Sequence, residues 1–275
     1  MWKHKVTIAI ATIFFVGLSI LLYPTVSSFF NAGRQSRVIT EYSSALAELG
    51  CEIHRELLDA AHEWNRTLAA KVNRFAFTDE EWARYYEMLN ATGSGVMGYI
   101  EIETIGVRLP IYHGTSERVL EIGVGHLEWS SLPVGGLGTH SALTAHTGLP
   151  TADLFNKLDR LTYGDTFVIR VLREELTYKI DQILVVGPSD TSALVIIADM
   201  DYSTLITCTP YIVNTHRLLV RGVRVPNAAT DMEDFMIIEC GCYPMWPLVV
   251  WLLILSALVV YLFIRYRSAK RKSYE

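Results

Sequence analysis

Short β-rich runs recur from Gly95 to Val225, and they constrain the fold of this chain more than any other feature. Turn residues separate the runs, and one helix is predicted among them, over Ala152 to Leu161. Many short strands at this spacing favour a closed or nearly closed barrel over a parallel α/β sheet. The sequence thus predicts a mainly β fold with strands at Met97–Glu103, Val107–His113, His140–Ala145, Thr166–Leu172, Leu176–Val186, Thr204–Cys208 and Arg217–Val225.

A helical region precedes these strands. Apolar residues recur at helical spacing across residues 36–72. Thr78 and Glu81 have the spacing of a capping box, which predicts a helix from Asp79 to Leu89. We interpret residues 36–93 as a helical extension that packs on a barrel domain at residues 94–226. A coiled coil that binds a partner is the alternative.

Two apolar runs of eighteen residues each, Val6–Tyr23 and Pro247–Ile264, are close to the length that crosses a bilayer. Basic residues flank both runs on their outer sides, which predicts that both termini are cytoplasmic and that the chain between them is extracellular. We expect a membrane anchor or signal-anchor at residues 1–24 that ends at Pro24, with a cleaved signal peptide as the alternative. The remaining segments are a linker at 227–246, a transmembrane helix at 247–264 and a basic cytoplasmic tail at 265–275.

Charge and cysteine placement narrow the choice of partners. The formal net charge is −5, and the two tails are basic, so the extracellular part is acidic and nucleic acid is not an expected partner. Four cysteines could form disulfides outside the cell, but their placement does not suggest disulfides. Cys51 lies in a helical pattern, Cys208 ends a strand, and Cys240 and Cys242 are separated by one residue. No C-x-x-C or H-x-x-x-H spacing occurs, so we expect no metal and no cofactor.

One thiol has the surroundings of a nucleophile. The run ending at Cys208 is joined by a polar turn to a second run that opens with Arg217. In an antiparallel hairpin the end of one strand lies beside the start of the next, so the two residues should be neighbours. A cysteine beside a fixed cation is typical of a nucleophile that attacks a carbonyl carbon.

The partner histidine is not decided by spacing alone. The candidates are His113, His126, His140 and His146. His146 is the strongest, because it ends a predicted strand and enters a loop with Gly148 and Pro150, where catalytic groups tend to lie. Asn214 could complete a papain-like Cys-His-Asn set, although the chain order differs from that of papain.

The segment TLITCTPYIVNTHRLLVRG, at Thr204–Gly222, resembles the signature of class C sortases, the pilin-polymerising transpeptidases of Gram-positive bacteria. The resemblance covers most of residues 38–226 and includes GVMGYIEIETIGVRLPIYHGTSE, GVGHLEWSSLPVGGLGTHSALTAHTGLP and ADLFNKLDRLTYGD. It implies a closed eight-stranded β-barrel with an N-terminal helical extension. It also implies a catalytic triad of His146, Cys208 and Arg217.

The resemblance further implies an activity and its partners. The thiolate would attack the Thr–Gly carbonyl of an LPXTG-like sorting signal, and a lysine amine of another pilin would accept the acyl group. The expected partners are therefore pilin subunits and the lipid bilayer. Two other functions stay open, namely a sortase that anchors proteins to peptidoglycan and a non-catalytic ectodomain that binds surface proteins.

One departure from the class C pattern concerns the lid. Class C enzymes usually carry an Asp-Pro-aromatic lid, and this chain contains no Asp-Pro pair. The corresponding segment is Lys71–Phe77, so the resemblance implies a lid that is short, altered or absent. The weak candidates for lid residues are Phe75, Phe77, Asp79 and Trp82, of which Asp79 and Trp82 are better explained as first-turn residues of a helix.

Overall fold

The computed structural model describes residues 2–211 and 213–227. Leu21–Ala228 forms one compact unit, and the residues up to Ile20 belong to a second unit. The predictions for Cys240 and Cys242, for the linker beyond Asn227, for the second apolar run and for the basic tail lie outside the described residues.

The first helix, α1, runs from Trp2 to Glu48 and contains Pro24. The helix thus continues past Pro24, the last residue of the predicted anchor segment. Proline removes one backbone hydrogen bond, but the turns on either side keep theirs, and membrane-type helices tolerate this loss. Among the described residues, α1 is the one helix long and apolar enough to cross a membrane, judged by length and composition.

The helical region predicted over residues 36–72 consists of two helices. Gly50 has an extended backbone and separates α1 from α2, which spans Cys51–Ala70. Helix α3 spans Asp79–Glu87 and has the predicted capping box. The backbone N–H of Glu81 donates to Thr78 Oγ1 at 3.2 Å, and the N–H of Thr78 donates to Glu81 Oε2 at 2.8 Å.

Eight strands close into a barrel, as the resemblance implied. Around the barrel their order is β1-β2-β3-β4-β7-β8-β6-β5. Two neighbouring pairs, β2 with β3 and β4 with β7, are parallel, and the others are antiparallel. The strands are β1 Val96–Ile102, β2 Val107–His113, β3 Val124–His126, β4 Thr139–Thr144, β5 Thr166–Val171, β6 Glu174–Val186, β7 Asp201–Thr209 and β8 His216–Arg224.

Three local features differ from the prediction. Strand β3 has three residues and helix α4, Glu117–Ile122, has six, so neither is long enough to give a periodic signal. The predicted helix over Ala152–Leu161 is wrong, because this stretch forms turns and a short 3-10 helix at Leu158–Arg160. Its apolar residues are buried, and the N–H of Phe155 donates to the carbonyl of His146 at 3.2 Å rather than within a helix. Packing against the barrel thus overrides the local pattern.

The two faces of the central strands serve different purposes. Leu143, Leu205 and Val220 lie in register across β4, β7 and β8, and they belong to the main core. Successive side chains along a strand point to opposite faces. Residues one position away along these strands therefore face outward, and this outer face carries the candidate site.

Candidate active site

Cys208 and Arg217 lie directly opposite each other in the β7–β8 register, as the hairpin pattern predicted. Both residues are half-buried. Arg217 Nη1 donates to the carbonyl oxygens of Asn214 at 3.2 Å and His216 at 3.1 Å. These bonds hold the guanidinium next to the hairpin loop, at the position that pairs with Cys208 in the β7–β8 register.

His146 leaves the sheet at the same end as Cys208. The parallel strands β4 and β7 pair up to Thr144 and Ile206, and both residues of interest lie two positions further along their chains. The N–H of Ala145 donates to the carbonyl of Ile206 at 3.1 Å, and Thr207 Oγ1 donates to the carbonyl of Ala145 at 2.8 Å. These bonds continue the pairing to the edge of the barrel, so His146 and Cys208 lie side by side there.

The loop after His146 is fixed from two sides. The N–H of Gly148 donates to Asn156 Oδ1 at 2.7 Å. Gly148 has φ +80°, and the ring of Tyr211 packs so close that a Cβ at Gly148 would lie 3.3 Å from it. The loops that follow His146 and Cys208 therefore contact each other.

The other three histidine candidates are buried and take part in hydrogen bonds inside the fold. His113 contacts the carbonyls of Gly95 and Met88, and burial lowers its pKa. Burial also lowers the pKa of His126 and of His140 to about 4. These side chains are neutral near pH 7 and are enclosed by protein. Of the four candidates, His146 is the one that is half-buried and lies at the same edge of the barrel as Cys208.

An apolar cluster lies on the same face of the sheet as the thiol. Cys208 and Ile206 are two residues apart on β7 and so share the outer face of the sheet. Ile206 packs with Ala142, Leu194 and Leu219 in this cluster, which is separate from the main core, and the partly buried residues around it are Leu127, Trp129, Leu184, Val186 and Ala193. Sequence reasoning missed this apolar cluster, although the alternation along β7 placed Ile206 on the same face as Cys208.

Part of the predicted lid segment packs on this apolar cluster. Arg74 Nη2 donates to the carbonyl of Leu194 at 2.8 Å. The ring of Phe75 lies 5.0 Å from the ring of Trp129, and the guanidinium of Arg74 lies 5.4 Å from the Trp129 ring. Burial lowers the pKa of Arg74. Arg74 and Phe75 thus contact two members of the cluster, while Phe75 stays 57% exposed.

The other three lid candidates lie elsewhere. The ring of Phe77 packs 5.7 Å from Trp64 and 5.2 Å from Trp82, between α2 and α3. Asp79 is in the first turn of α3. Of the four candidates, Phe75 is therefore the one that contacts the apolar cluster.

The described ranges contain no group of three or more His, Cys, Asp or Glu side chains that could hold a metal ion. The groups gathered at the edge of the barrel are instead a thiol, an imidazole and a guanidinium. Such a set can supply a nucleophile, a proton carrier and a fixed positive charge.

Comparison with known proteins identifies the family. A family model for the sortase domain matches residues 100–225. Sortase D of Bacillus subtilis (strain 168) is 31% identical over 131 residues, which cover 46% of this chain and 63% of that protein, or less than two thirds of its length. The crystal structure of sortase C1 from Streptococcus agalactiae is 45% identical with a TM-score of 0.68, covering 70% of this chain and 100% of that chain.

Sortase C from Streptococcus pneumoniae is 43% identical with a TM-score of 0.64, and the match covers 70% of this chain and 99% of that chain. Both solved structures share the barrel and carry the class C name. The chain belongs to the sortase family, and its structural neighbours are class C sortases.

Proposed function

We propose that this chain is a cysteine transpeptidase that cleaves an LPXTG-like sorting signal between Thr and Gly and joins the acyl group to a lysine amine of a pilin subunit. The observation that carries this proposal is the meeting of Cys208, Arg217 and His146 at one edge of the barrel. The apolar cluster on the same face as Cys208 supports it further, because partly buried apolar side chains next to the thiol can contact the apolar residues that precede the cleaved bond.

In the first half of the reaction, the thiolate sulfur of Cys208 attacks the carbonyl carbon of the Thr–Gly bond. The C–N bond then breaks, and the imidazolium of His146 gives a proton to the departing amine. The product is a thioester between Cys208 and the threonine. Arg217 carries a permanent charge with several N–H donors, which suits it to stabilise the oxyanion that forms during the attack.

In the second half, the acceptor amine attacks the thioester carbonyl and loses a proton to neutral His146. The C–S bond breaks, an amide forms, and Cys208 returns to the thiolate. The first half uses the proton of the imidazolium and an electron pair of the thiolate. The second half restores both, so the enzyme returns to its starting state. The overall reaction exchanges one amide for another, so it needs neither an oxidant nor a metal ion to balance.

The choice of pilins as substrates is supported by the neighbours. The Streptococcus pneumoniae sortase C has pilin substrate specificity, and it shares the barrel at 43% identity. Helix α1, as a candidate anchor, supports a site on the outer side of the membrane. We place both termini in the cytoplasm because of the basic flanks.

The test is a reaction of the full chain in detergent or vesicles with purified pilin that carries a sorting signal. Covalent pilin ladders are expected, and mass spectrometry should locate an isopeptide bond at a lysine. Products formed only with peptidoglycan amines would favour the cell-wall-anchoring alternative. Stable binding with no covalent product would favour the non-catalytic alternative. The Cys51→Ala variant is a matched control, because Cys51 is exposed and lies at the start of α2.

A further inference from the structure

From Leu21 onward, helix α1 is part of the barrel domain. These residues belong to the same compact unit as the barrel. Ile39, Tyr42 and Leu46 are buried in the main core. Tyr42 Oη donates to the carbonyl of Met97 at 2.8 Å and accepts from the N–H of Leu172 at 2.7 Å. The part of α1 that follows Ile20 is thus fixed to the barrel by core packing, and it includes the last three residues of the apolar run.

The same helix touches the catalytic end of the barrel. Asn31 Nδ2 donates to the carbonyl of Thr151 at 2.6 Å, and Thr151 closes the loop that begins with His146. Asn31 comes eight residues after Tyr23, the last residue of the apolar run, which corresponds to about 12 Å along a helix. The loop of His146 is therefore held within a short distance of the point where the apolar run ends.

Exposed apolar side chains occur both on α1 before Asn31 and in the hairpin loop after Cys208. On α1, Tyr23 is 58% exposed and Phe30 is 60% exposed. In the hairpin loop after Cys208, Tyr211 and Val213 are 59% and 65% exposed. The ring of Tyr211 packs against the His146 loop, which in turn contacts α1. Aromatic residues at the end of an apolar run are typical of the membrane–water interface.

Basic side chains follow these aromatic residues on the same helix. Arg34 and Arg37 are exposed and lie within two turns of Phe30. Arginines next to a membrane segment are attracted to anionic lipid headgroups. The order along α1 is therefore an apolar run, an aromatic turn and then a basic turn, as expected for a helix that leaves a bilayer.

We propose that the catalytic end of the barrel faces the bilayer, with Tyr211 and Val213 at the level of the lipid headgroups. The occupant of this surface is the membrane in which α1 is anchored. If the proposed transpeptidase function holds, the substrates of the enzyme present their cleavage site close to the same bilayer. A site carried on a long spacer would have a lower effective concentration at Cys208, since that concentration falls with spacer length.

The test places a fluorescent reporter at either end of the barrel in the full chain. Its background is Cys208→Ala with the other three cysteines changed to Ser, so that a single introduced cysteine is labelled. Val213→Cys reports on the catalytic end. Leu137→Cys is the matched control, because Leu137 is exposed and precedes β4 at the opposite end, about 20 Å away for a six-residue strand.

The labelled chains are reconstituted into phosphatidylglycerol vesicles that contain a lipid with a nitroxide on its headgroup. We expect quenching of the Val213→Cys reporter to be several-fold stronger than quenching of the Leu137→Cys reporter. Equal quenching, or stronger quenching at Leu137→Cys, overturns the proposal.

A second variant tests whether α1 sets the distance between the catalytic end and the bilayer. Seven helix-forming residues inserted between Val26 and Ser27 add two turns, which keep the helix face and lengthen α1 by about 10 Å. We expect the quenching at Val213→Cys to fall clearly below its value in the chain without the insertion, and unchanged quenching would overturn the proposal. The same insertion with Cys208 present should cleave a soluble sorting-signal peptide at the normal rate. If the chain with Cys208 and no insertion does not cleave the peptide, the proposed function is refuted, whereas the quenching result still stands.

Discussion

Two regions of the molecule place a histidine in opposite surroundings. One is the edge of the barrel with His146, Cys208 and Arg217, and the other is the buried cluster around His126. In the buried cluster, the Tyr85 hydroxyl lies 3.0 Å from His126 Nδ1, and His126 Nε2 donates to the carbonyl of Ser131 at 2.8 Å. Both ring nitrogens are engaged, and His126 is fully buried. At the edge, the histidine and the thiol are half-buried. A histidine enclosed by partners stabilises the fold, whereas one on an open edge can exchange a proton with a substrate.

The largest expected effect is at the thiol. Cys208→Ala should reduce covalent pilin products to background, because the thioester cannot form without the sulfur. Gel analysis of pilin ladders and mass spectrometry of the acyl-enzyme would measure this. Cys51→Ala should retain wild-type rates. Ladders made by Cys208→Ala would show that the edge does not hold the nucleophile.

The next largest effects are at the two neighbours of the thiol. His146→Ala and Arg217→Ala should each lower the transpeptidation rate, the first by about 10²–10⁴-fold because proton transfer is lost. Steady-state rates on a sorting-signal peptide would measure this. Asn214→Ala is the control for a papain-like set, and we expect it to stay close to wild type. A loss with Asn214→Ala as large as that with His146→Ala would favour the papain-like arrangement.

The buried cluster should affect stability rather than chemistry. Burial lowers the pKa of His126 to about 4. The unfolded chain takes up this proton as the pH falls below the ordinary pKa of about 6.5, and the folded chain does so only near pH 4. The stability that neutral His126 contributes is therefore complete above about pH 6.5 and is lost as the pH falls towards 4. The total loss is about 3 kcal/mol, at about 1.4 kcal/mol per pH unit.

Urea unfolding between pH 4 and pH 8 would measure this effect. His126→Gln should remove one proton from the acid dependence, and His126→Gln combined with His140→Gln should remove two, because burial also lowers the pKa of His140 to about 4. His216→Gln, at an exposed position beside Arg217, is the control and should keep the acid dependence. An unchanged slope in His126→Gln would mean that this histidine takes up its proton alike in both states.

The smallest expected effect concerns the segment Lys71–Phe77, which packs on the apolar cluster. Phe75 contacts Trp129 and is still 57% exposed, and no Asp-Pro pair is present to plug the cleft. Phe75→Ala should accelerate alkylation of Cys208 by less than about threefold, which corresponds to under ~0.7 kcal/mol. Phe77→Ala and Trp82→Ala should stay within the same limit, because these rings pack between α2 and α3. A tenfold acceleration from any of these would identify that residue as a working lid.

The sequence was most informative where the structure is local. The Cys208–Arg217 pair follows from one hairpin, and the capping box of α3 depends on four consecutive residues. The barrel itself was predicted from strand spacing and from the resemblance. Within the barrel, the apolar cluster was missed because its members come from segments that are distant in sequence, and strand β3 was missed because three residues carry no period.

The wrong helix prediction has a physical origin. The stretch Ala152–Leu161 has apolar residues that suit a helix, but these residues pack against the barrel while the backbone of Phe155 bonds to His146. Interactions beyond the local window thus determined the backbone, and a short sequence pattern does not contain them.

The parallel pairing of β4 with β7 has a consequence for the order of folding. Cys208 and Arg217 are nine residues apart and can meet as soon as one hairpin forms, which takes microseconds in small hairpins. His146 reaches the same edge only after a crossover of 62 residues from Thr144 to Ile206 has closed, and long-range pairing of this kind is slow. In a newly synthesised chain, Cys208 and Arg217 should therefore pair before His146 reaches the same edge. Transpeptidation should begin only when the crossover has been completed.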